Sequence, residues 1–250
     1  MAARTDHDER AEADAGAETA APKRRGASRL AMAVSILGEL LITAGLVLGL
    51  FVVYSLWWTN VVADRKADKQ GDKVRDNWAQ DKGGPGALDT KDGIGFLHVP
   101  SMKNGEVLVE KGTSTKVLND GVAGYYIDPV KATLPMTDKT GNFTLAAHRD
   151  GHGAKFHNID KIKKGDPIVF ETKDDWYVYK VFSILPETSK YNVKVLQSVP
   201  KQSGSTKPGH FITLTTCTPV YTSEYRYIVW GELERVQKVD SARTPPKELG

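Results

Sequence analysis

Cysteine is nearly absent from this chain, since Cys217 is the only one among 250 residues. A lone thiol can form no internal disulfide, so its remaining uses are packing and reactivity. It follows a run rich in β-branched residues, and Pro219 prevents that run from continuing as a paired strand. The sequence therefore places the thiol at a strand end, where scaffolds commonly present catalytic groups. Position alone leaves a reactive and a buried structural cysteine equally open.

An excess of charge of one sign is lacking as well. The formal net charge is +3, and basic and acidic residues are interspersed through the C-terminal part of the chain. The sequence contains neither a basic stripe, which would indicate nucleic-acid binding, nor an acidic tail. We therefore expect no nucleic-acid partner.

Long apolar runs are confined to one place, Leu30 to Trp58, and the part from Leu40 onward carries no charged residue. A helix that crosses a bilayer needs roughly 20 apolar residues. A cleaved signal peptide fits less well, because its apolar region is usually only about 7–15 residues long and a small-residue cleavage site follows it. The sequence therefore predicts a single membrane anchor over residues 30–58.

The flanks of this segment predict its orientation. Aromatic residues at its C-terminal end form a belt typical of a membrane interface, and the residues that follow, 59–63, are uncharged. Positive charge is denser on the N-terminal side, at Lys23, Arg24, Arg25 and Arg29. We expect a single-pass protein of the cell membrane with a cytoplasmic N-terminus and an extracellular C-terminal domain.

Composition divides the rest of the chain. Residues 1–29 have almost no large apolar side chains, and the polar stretch after the anchor ends in a glycine-rich break. Val61 to Gln80 could form a solvated helix that holds the domain off the membrane, with a partner-binding helix as the alternative. The predicted organisation is a disordered cytoplasmic tail (1–29), the anchor (30–58), a partly helical polar spacer (59–92), a globular domain (93–238) and a flexible tail (239–250).

Short apolar runs separated by turn residues predict an all-β barrel or sandwich for the globular domain. Lys173–Asp175 is predicted as a hairpin turn, and Gly121–Gly124 and Leu134–Pro135 as loops. The predicted strands are Ile94–Val99, Glu106–Glu110, Asn142–Ala147, Pro167–Thr172, Trp176–Leu185, Phe211–Cys217 and Tyr225–Val236.

Two further groups could cooperate with the thiol, whose ordinary pKa of about 8.5 must be lowered by a base or a cation. His148 ends a predicted strand, and Arg226 begins the strand that returns after Cys217, so a hairpin would place the guanidinium beside the sulfur. There Arg226 could bind an oxyanion, although a surface arginine fits equally. Together with His148, His152 and His157 offer a metal site as an alternative to loop packing, but their glycine-broken spacing does not favour one.

These residues resemble the sortase family. Leu214-Thr-Thr-Cys217 resembles the TLxTC signature with Thr213 just before it, Ala-Ala-His148-Arg149 resembles the histidine motif, and Arg226 falls where the family has its arginine. The resemblance covers roughly residues 93–236 and is greatest to class E, the housekeeping-type sortases of actinobacteria. Ala147 departs from the glycine that many sortases carry before the histidine, which is sterically mild.

The resemblance implies an eight-stranded sortase β-barrel with short helices, and a transpeptidation without cofactor or metal. Cys217, His148 and Arg226 would be catalytic, acting on secreted proteins with a C-terminal sorting signal (LAxTG or LPxTG) and on the amine of a lipid II-type peptidoglycan precursor. Thr216, Tyr125 and Tyr126 are candidates for substrate binding, with packing as the alternative for each.

Two other classes of protein stay open. An L,D-transpeptidase also pairs a cysteine with a His-Gly motif, and His152-Gly153 fits superficially, although the residues around Cys217 do not match that family. A non-catalytic, membrane-tethered binding module would need no activated thiol.

Overall fold

The computed structural model describes residues 28–80 and 93–250. The described part of the chain divides into two units, one before and one after the boundary between Leu48 and Gly49. Helix α1 spans Arg29–Val53, a π-helical turn follows at Tyr54–Trp58, and helix α2 spans Thr59–Ala79. The predicted tail over 1–29 and the end of the predicted spacer fall almost wholly outside the described residues.

Helix α1 has no buried residue, although nearly all its side chains are apolar. A helix that is apolar all round and buries none of its residues in the protein is typical of a membrane segment. The helical stretch Arg29–Ala79 contains a window long and apolar enough to cross a bilayer, by length and composition. This agrees with the predicted position of the apolar segment.

The C-terminal unit contains a closed barrel with the strand order β1-β2-β3-β4-β7-β8-β6-β5, which confirms the predicted all-β class. Neighbouring strands are antiparallel except for β2 with β3 and β4 with β7, which are parallel. The strands are β1 (Gly95–His98), β2 (Glu106–Lys111), β3 (Ala123–Tyr125), β4 (Gly141–Ala146), β5 (Pro167–Glu171), β6 (Asp175–Ser189), β7 (His210–Thr218) and β8 (Tyr225–Lys238).

Strand β3 is the one that the sequence analysis missed, because Gly121–Gly124, which overlaps its start, was interpreted as a loop. Gly124 is required by a close approach, since a Cβ there would lie 2.0 Å from the carbonyl oxygen of Gly112. Strand β6 is longer than predicted. It continues past Pro186 because the pairing with β8 shifts register between Leu185 and Thr188, and a bulge can accommodate a residue without an N–H group.

The barrel interior is filled by alternate residues of each strand, as expected for a sheet with one buried face. Ile212 and Leu214 of β7 point inward with Phe143 and Leu145 of β4, and all four are buried. The helical elements between the strands are short: α3 (Thr115–Leu118) and 3₁₀ turns at Pro100–Met102, Pro135–Thr137, Ile159–Lys161, Val193–Leu196 and Lys201–Ser203. A further 3₁₀ turn, Lys247–Leu249, follows β8.

Helix α2 packs against the barrel, so the expectation of a solvated helix is wrong for one of its faces. Its buried residues, Ala63, Ala67, Gly71 and Val74, recur every three or four positions and share one side of the helix. Ala67 and Val74 join a cluster with Phe96, Leu108 and Val122 of the barrel. The sequence conceals this face because it consists mainly of small residues rather than a stripe of large apolar ones.

A buried carboxylate joins α2 and the C-terminal segment to the barrel. Glu171 of β5 is 2% exposed and pairs with Arg75 of α2 at 3.1 Å, Arg243 at 2.6 Å and His98 of β1 at 3.0 Å. Burial alone would raise the pKa of Glu171, but hydrogen bonds from His98, Arg75 and Arg243 outweigh it and lower the pKa from 4.5 to about 2.

The C-terminal segment differs from the predicted flexible tail over 239–250. Besides the contact of Arg243 with Glu171, Arg235 of β8 pairs with Glu248 at 2.6 Å. Val239 and Leu249 pack against a cluster on β5 and β6. Ion pairs between residues distant in sequence cannot be read from composition, which here indicated only a polar end.

We expect stability to fall as the pH is lowered from about 4.5 towards 2, because in this window the unfolded chain binds a proton at Glu171 that the folded protein does not. Above pH 4.5 the contribution is fully present, and the shift corresponds to roughly 3 kcal/mol. Urea-induced unfolding of the full chain in detergent micelles, followed by tryptophan fluorescence at several pH values, measures it.

The variant Glu171→Gln separates the contribution of Glu171 to the pH dependence from that of the other carboxylates that titrate in this range. We expect this variant to be less stable by about 3 kcal/mol at pH 7, since it leaves two arginines without their buried partner, and to have a shallower pH dependence. Parallel pH profiles of the two proteins would contradict the assignment.

Candidate active site

Three strand ends meet at one edge of the barrel. Strands β4 and β7 are parallel and aligned with Ala146 opposite Thr215, so their C-terminal ends lie side by side. His148 follows the end of β4, and Cys217 is the penultimate residue of β7. Strand β8 is antiparallel to β7 and begins at this same edge, where Cys217 and Arg226 are register partners. The hairpin argument for Arg226 is confirmed by this pairing.

The alternation of side chains assigns the thiol and the guanidinium to the same face of the sheet. On β4, Phe143 and Leu145 belong to the barrel interior, so the last outward residue of the strand is Ala146, and His148 follows it two residues later. The same parity puts Cys217 opposite to Ile212 and Leu214, and Arg226 opposite to Tyr227 and Val229. All three side chains are partly exposed. The sheet thus presents the thiol and the guanidinium on its outer surface, at the edge where the imidazole follows the end of β4.

The His148 ring is held by a loop residue that the sequence analysis did not identify. Its Nε2 lies 2.8 Å from Oδ1 of Asn119, and because an amide oxygen can only accept, Nε2 carries the proton and Nδ1 is the acceptor. Burial lowers the pKa of His148, His152 lowers it further, and Asp150 opposes this. Burial and His152 thus favour the neutral imidazole, which is the form that can take a proton.

The Arg226 guanidinium lies along its own loop and at the mouth of a cleft. Its Nη1 donates to the carbonyl oxygens of Tyr225 at 2.8 Å and Ser223 at 3.2 Å. The cleft has a volume of about 100 Å³, and Thr215, Arg226 and Ile228 form its floor with Tyr126, beneath the segment 189–196. An extended peptide laid in this cleft would pass next to the guanidinium.

Of the three substrate-binding candidates, Tyr126 lines the cleft, whereas Tyr125 and Thr216 are buried. The Tyr126 hydroxyl lines the cleft, 3.0 Å from Oγ1 of Thr215, and burial raises the pKa of Tyr126. Tyr125 belongs to β3, not to a loop, and is buried in the barrel core. Thr216 is also buried, and its hydroxyl donates to the carbonyl oxygen of Ala147 at 2.7 Å. Tyr125 and Thr216 therefore pack and tie strands together rather than face the cleft.

Arg149 is a second residue that sequence reasoning missed. It is 6% exposed and donates to Oγ1 of Thr218 at 2.8 Å and to the carbonyl oxygen of Cys217 at 3.4 Å. Asp160 accepts from it at 3.3 Å. Because it follows His148 directly, Arg149 connects the histidine loop to the strand end that carries the thiol. A sequence cannot distinguish such a buried arginine from a surface one.

The histidines considered as metal ligands have other contacts. The His152 ring centroid is 5.6 Å from that of His148, and Nδ1 of His157 lies 2.8 Å from the carbonyl oxygen of Arg149. Within residues 28–80 and 93–250, the group with closely spaced ligand atoms is a different one, His98, Glu106 and Glu171. Its two carboxylates are already paired with Arg75.

Comparisons with known proteins agree with this geometry. A family model described as "Sortase domain" matches residues 97–234. The chain is 71% identical to "Sortase SrtE2" of Streptomyces coelicolor over the full length of both proteins. It is 48% identical to "Sortase SrtE1" of the same organism over 79% of this chain and 56% of that protein.

Solved structures give the same result. A crystal structure of Sortase E1 from Streptomyces coelicolor, described as having a tripeptide in the active site, superposes with a TM-score of 0.59 at 47% identity over 63% of this chain and 96% of that one. The structure of sortase E from Streptomyces avermitilis gives a TM-score of 0.55 at 31% identity over 63% and 97% of the two chains. On this evidence of sequence, fold and site together, the chain belongs to the sortase family of cysteine transpeptidases, within class E.

Proposed function

We propose that this sortase is anchored in the cell membrane by α1 and cleaves the C-terminal sorting signal of secreted proteins, of LAxTG or LPxTG type, between threonine and glycine. It then joins the new carboxyl end to the amine of a lipid II-type peptidoglycan precursor. The cluster Lys23, Arg24, Arg25 and Arg29 favours a cytoplasmic N-terminus, which leaves the barrel outside the cell. The family membership and the apolar helix support this assignment.

In the proposed mechanism Cys217 is the nucleophile and His148 moves the proton. The thiol proton passes to the imidazole as the sulfur attacks the threonine carbonyl carbon. The C–N bond then breaks, the imidazolium protonates the departing glycine amine, and a thioester remains. An incoming amine attacks this thioester, gives its extra proton to His148, and the thiolate leaves. The lowered pKa of His148 favours the neutral form that starts the reaction, and it makes the imidazolium a stronger acid for protonating the departing glycine amine.

Arg226 is the proposed oxyanion donor, and its pairing with Cys217 is the observation that carries the proposal. Each tetrahedral intermediate places a negative oxygen within reach of groups beside the sulfur, and directly opposed residues of an antiparallel pair have Cβ atoms only about 4.5–5.5 Å apart. A guanidinium stays charged and offers several donors in one plane. Turning the side chain from the loop carbonyls towards the substrate would complete the site.

The cleft beside Arg226 is the proposed site for the sorting signal. It runs over the outer face of β7 and β8, the face that carries Cys217. A signal bound there would bring its threonine carbonyl to the sulfur. Sortase E1 of Streptomyces coelicolor has been crystallised with a tripeptide in its active site, which is consistent with peptide binding at this edge of the barrel.

We expect a thioacyl adduct on Cys217 when the full chain in detergent is mixed with an LAxTG peptide in the absence of added amine. Intact-protein mass spectrometry should show an increase in the protein mass equal to the mass of the peptide fragment that ends at threonine, minus one water. A parallel reaction with an LPxTG peptide tests the signal preference. Cys217→Ala is the matched control and should form no adduct.

Cross-linking of muropeptides without adduct formation from either peptide would favour the L,D-transpeptidase alternative. Slow alkylation of the thiol at neutral pH, with no turnover, would favour a binding module.

Arg226→Ala should lower kcat/KM for the peptide by about 100- to 1000-fold, the usual effect of removing one oxyanion donor. The fold should be retained, because the side chain is partly exposed at the barrel edge. Arg226→Lys keeps the charge but not the planar set of donors, so we expect it to recover little of this loss. Steady-state cleavage of a fluorogenic LAxTG peptide measures both, and near-normal activity of Arg226→Lys would contradict the role.

A further inference from the structure

Helix α2 contacts the loop that follows His148. Oδ1 of Asn60 accepts the backbone N–H of Gly153 at 2.8 Å, and the Asp64 carboxylate pairs with Lys155 at 2.9 Å. Both α2 residues lie in the first two turns of the helix and are one turn apart, so they present adjacent groups to the same loop. The loop also carries His152, whose ring neighbours that of His148.

The same part of α2 contacts the turn that carries Asn119, the other neighbour of the His148 ring. Lys66 pairs with Asp120 at 3.0 Å. Ala63 is 1% exposed, and its carbonyl oxygen would lie 2.8 Å from a Cβ placed on Gly121, which has a φ of +77°. Asn119, which accepts the hydrogen bond from His148, directly precedes Asp120 and Gly121.

The helix and the two loops meet at one point. A Cβ on Gly153 would lie 3.0 Å from Oδ1 of Asp64 and 3.2 Å from the Cα of Gly121. There is thus no room for a side chain where α2, the Asn119 turn and the His152 loop touch. A shift of the helix would be transmitted directly to both loops.

The histidine loop needs such support, because its backbone is strained. Gly151, His152, Gly153 and Ala154 all have φ between 40° and 83°. The left-handed region suits glycine but is unfavourable for other residues, so His152 and Ala154 keep it only where their surroundings hold them there. Asn60 holds the loop at Gly153, between these two residues.

We propose that the first half of α2 positions the catalytic histidine, with Asn60 and Asp64 fixing the loop that carries His152, and Ala63 and Lys66 fixing the turn that carries Asn119. The inference rests on the proposed function, since it assigns the helix a role only if His148 transfers protons in catalysis. The segment between the apolar helix and the barrel is then a part of the active-site framework, and Asn60 and Asp64 are positioning residues.

The test is a charge exchange in the full chain in detergent, with an LAxTG peptide as substrate and diglycine as the amine. Asp64→Lys and Lys155→Asp should each lower kcat about tenfold with little change in KM, since a small displacement of a reacting group has large kinetic effects while the peptide cleft is untouched. The double variant Asp64→Lys/Lys155→Asp restores the attraction and should recover kcat to within about threefold of the parent.

A matched control is the exchange Lys180→Glu/Glu234→Lys, together with its single variants, in an exposed pair between β6 and β8. We expect all three to keep the parental kcat. The variant Asn60→Ala changes no charge and removes one hydrogen bond, and we expect it to lower kcat severalfold. The inference therefore stays testable if a charge reversal disturbs folding. Thermal unfolding by circular dichroism reports on the fold of each variant.

The outcomes separate the two proposals. If His148→Ala abolishes turnover but Asn60→Ala and the Asp64 and Lys155 variants keep full kcat, the positioning role is overturned and the proposed function stands. If the single variants lose activity and the double variant does not recover it, a specific role of the ion pair is also overturned. Normal turnover in His148→Ala would overturn the proposed function, and the positioning role with it.

Discussion

The parallel pairing of β4 with β7 is the constraint on which the site depends, because it brings a histidine and a cysteine 69 residues apart to the same edge of the barrel. Backbone hydrogen bonds are supplemented here by threonine hydroxyls of β7, which are buried and must find partners. They bond across to β4: Thr213 to the Asn142 side chain, Thr215 to the Leu145 carbonyl and Thr216 to the Ala147 carbonyl. The threonines around the cysteine thus fix the register that aligns it with the histidine.

Two buried charged residues, Arg149 and Glu171, also hold neighbouring segments in place. Arg149 is buried beneath the active-site edge, and Glu171 is buried where α2 and the C-terminal segment meet the barrel. Taking such groups out of water is costly, and it is tolerated only when several partners surround them. Glu171 pairs with groups from three elements, and Arg149 binds both the end of β7 and the turn of Asp160. Each therefore joins segments that hydrophobic contacts alone would leave free to slide.

Local patterns in the sequence predicted those parts of the structure that local physics determines. Alternation and turn residues gave seven of the eight strands, and the hairpin between β7 and β8 gave the neighbourhood of Cys217 and Arg226. The place of His148 at a strand end could be predicted locally, but its neighbourhood to Cys217 follows from a long-range parallel pairing, which no local pattern encodes, and was implied by the family resemblance. The α2 interface was missed because Ala63, Ala67 and Gly71 carry little hydrophobic signal, and their value lies in allowing close approach. Tyr125 and Thr216 pack rather than line the cleft, because their side chains fall on inward-facing positions of β3 and β7. Those positions can be assigned only when the limits of the two strands are known.

The two halves of the site are built with different rigidity. Cys217 and Arg226 stand on a hairpin whose pairing continues along β7 and β8, so their relative position is set by regular backbone geometry. His148 instead stands where β4 has ended and a strained loop begins, and its neighbours Asn119 and His152 are also loop residues. Loops have low local stability, whereas proton transfer requires distances held to a fraction of an ångström. An element outside the barrel must supply the missing rigidity, and among the described residues α2 contacts both loops at once. The polar composition that makes the segment resemble a spacer is what equips it with the amide, carboxylate and ammonium groups for those contacts.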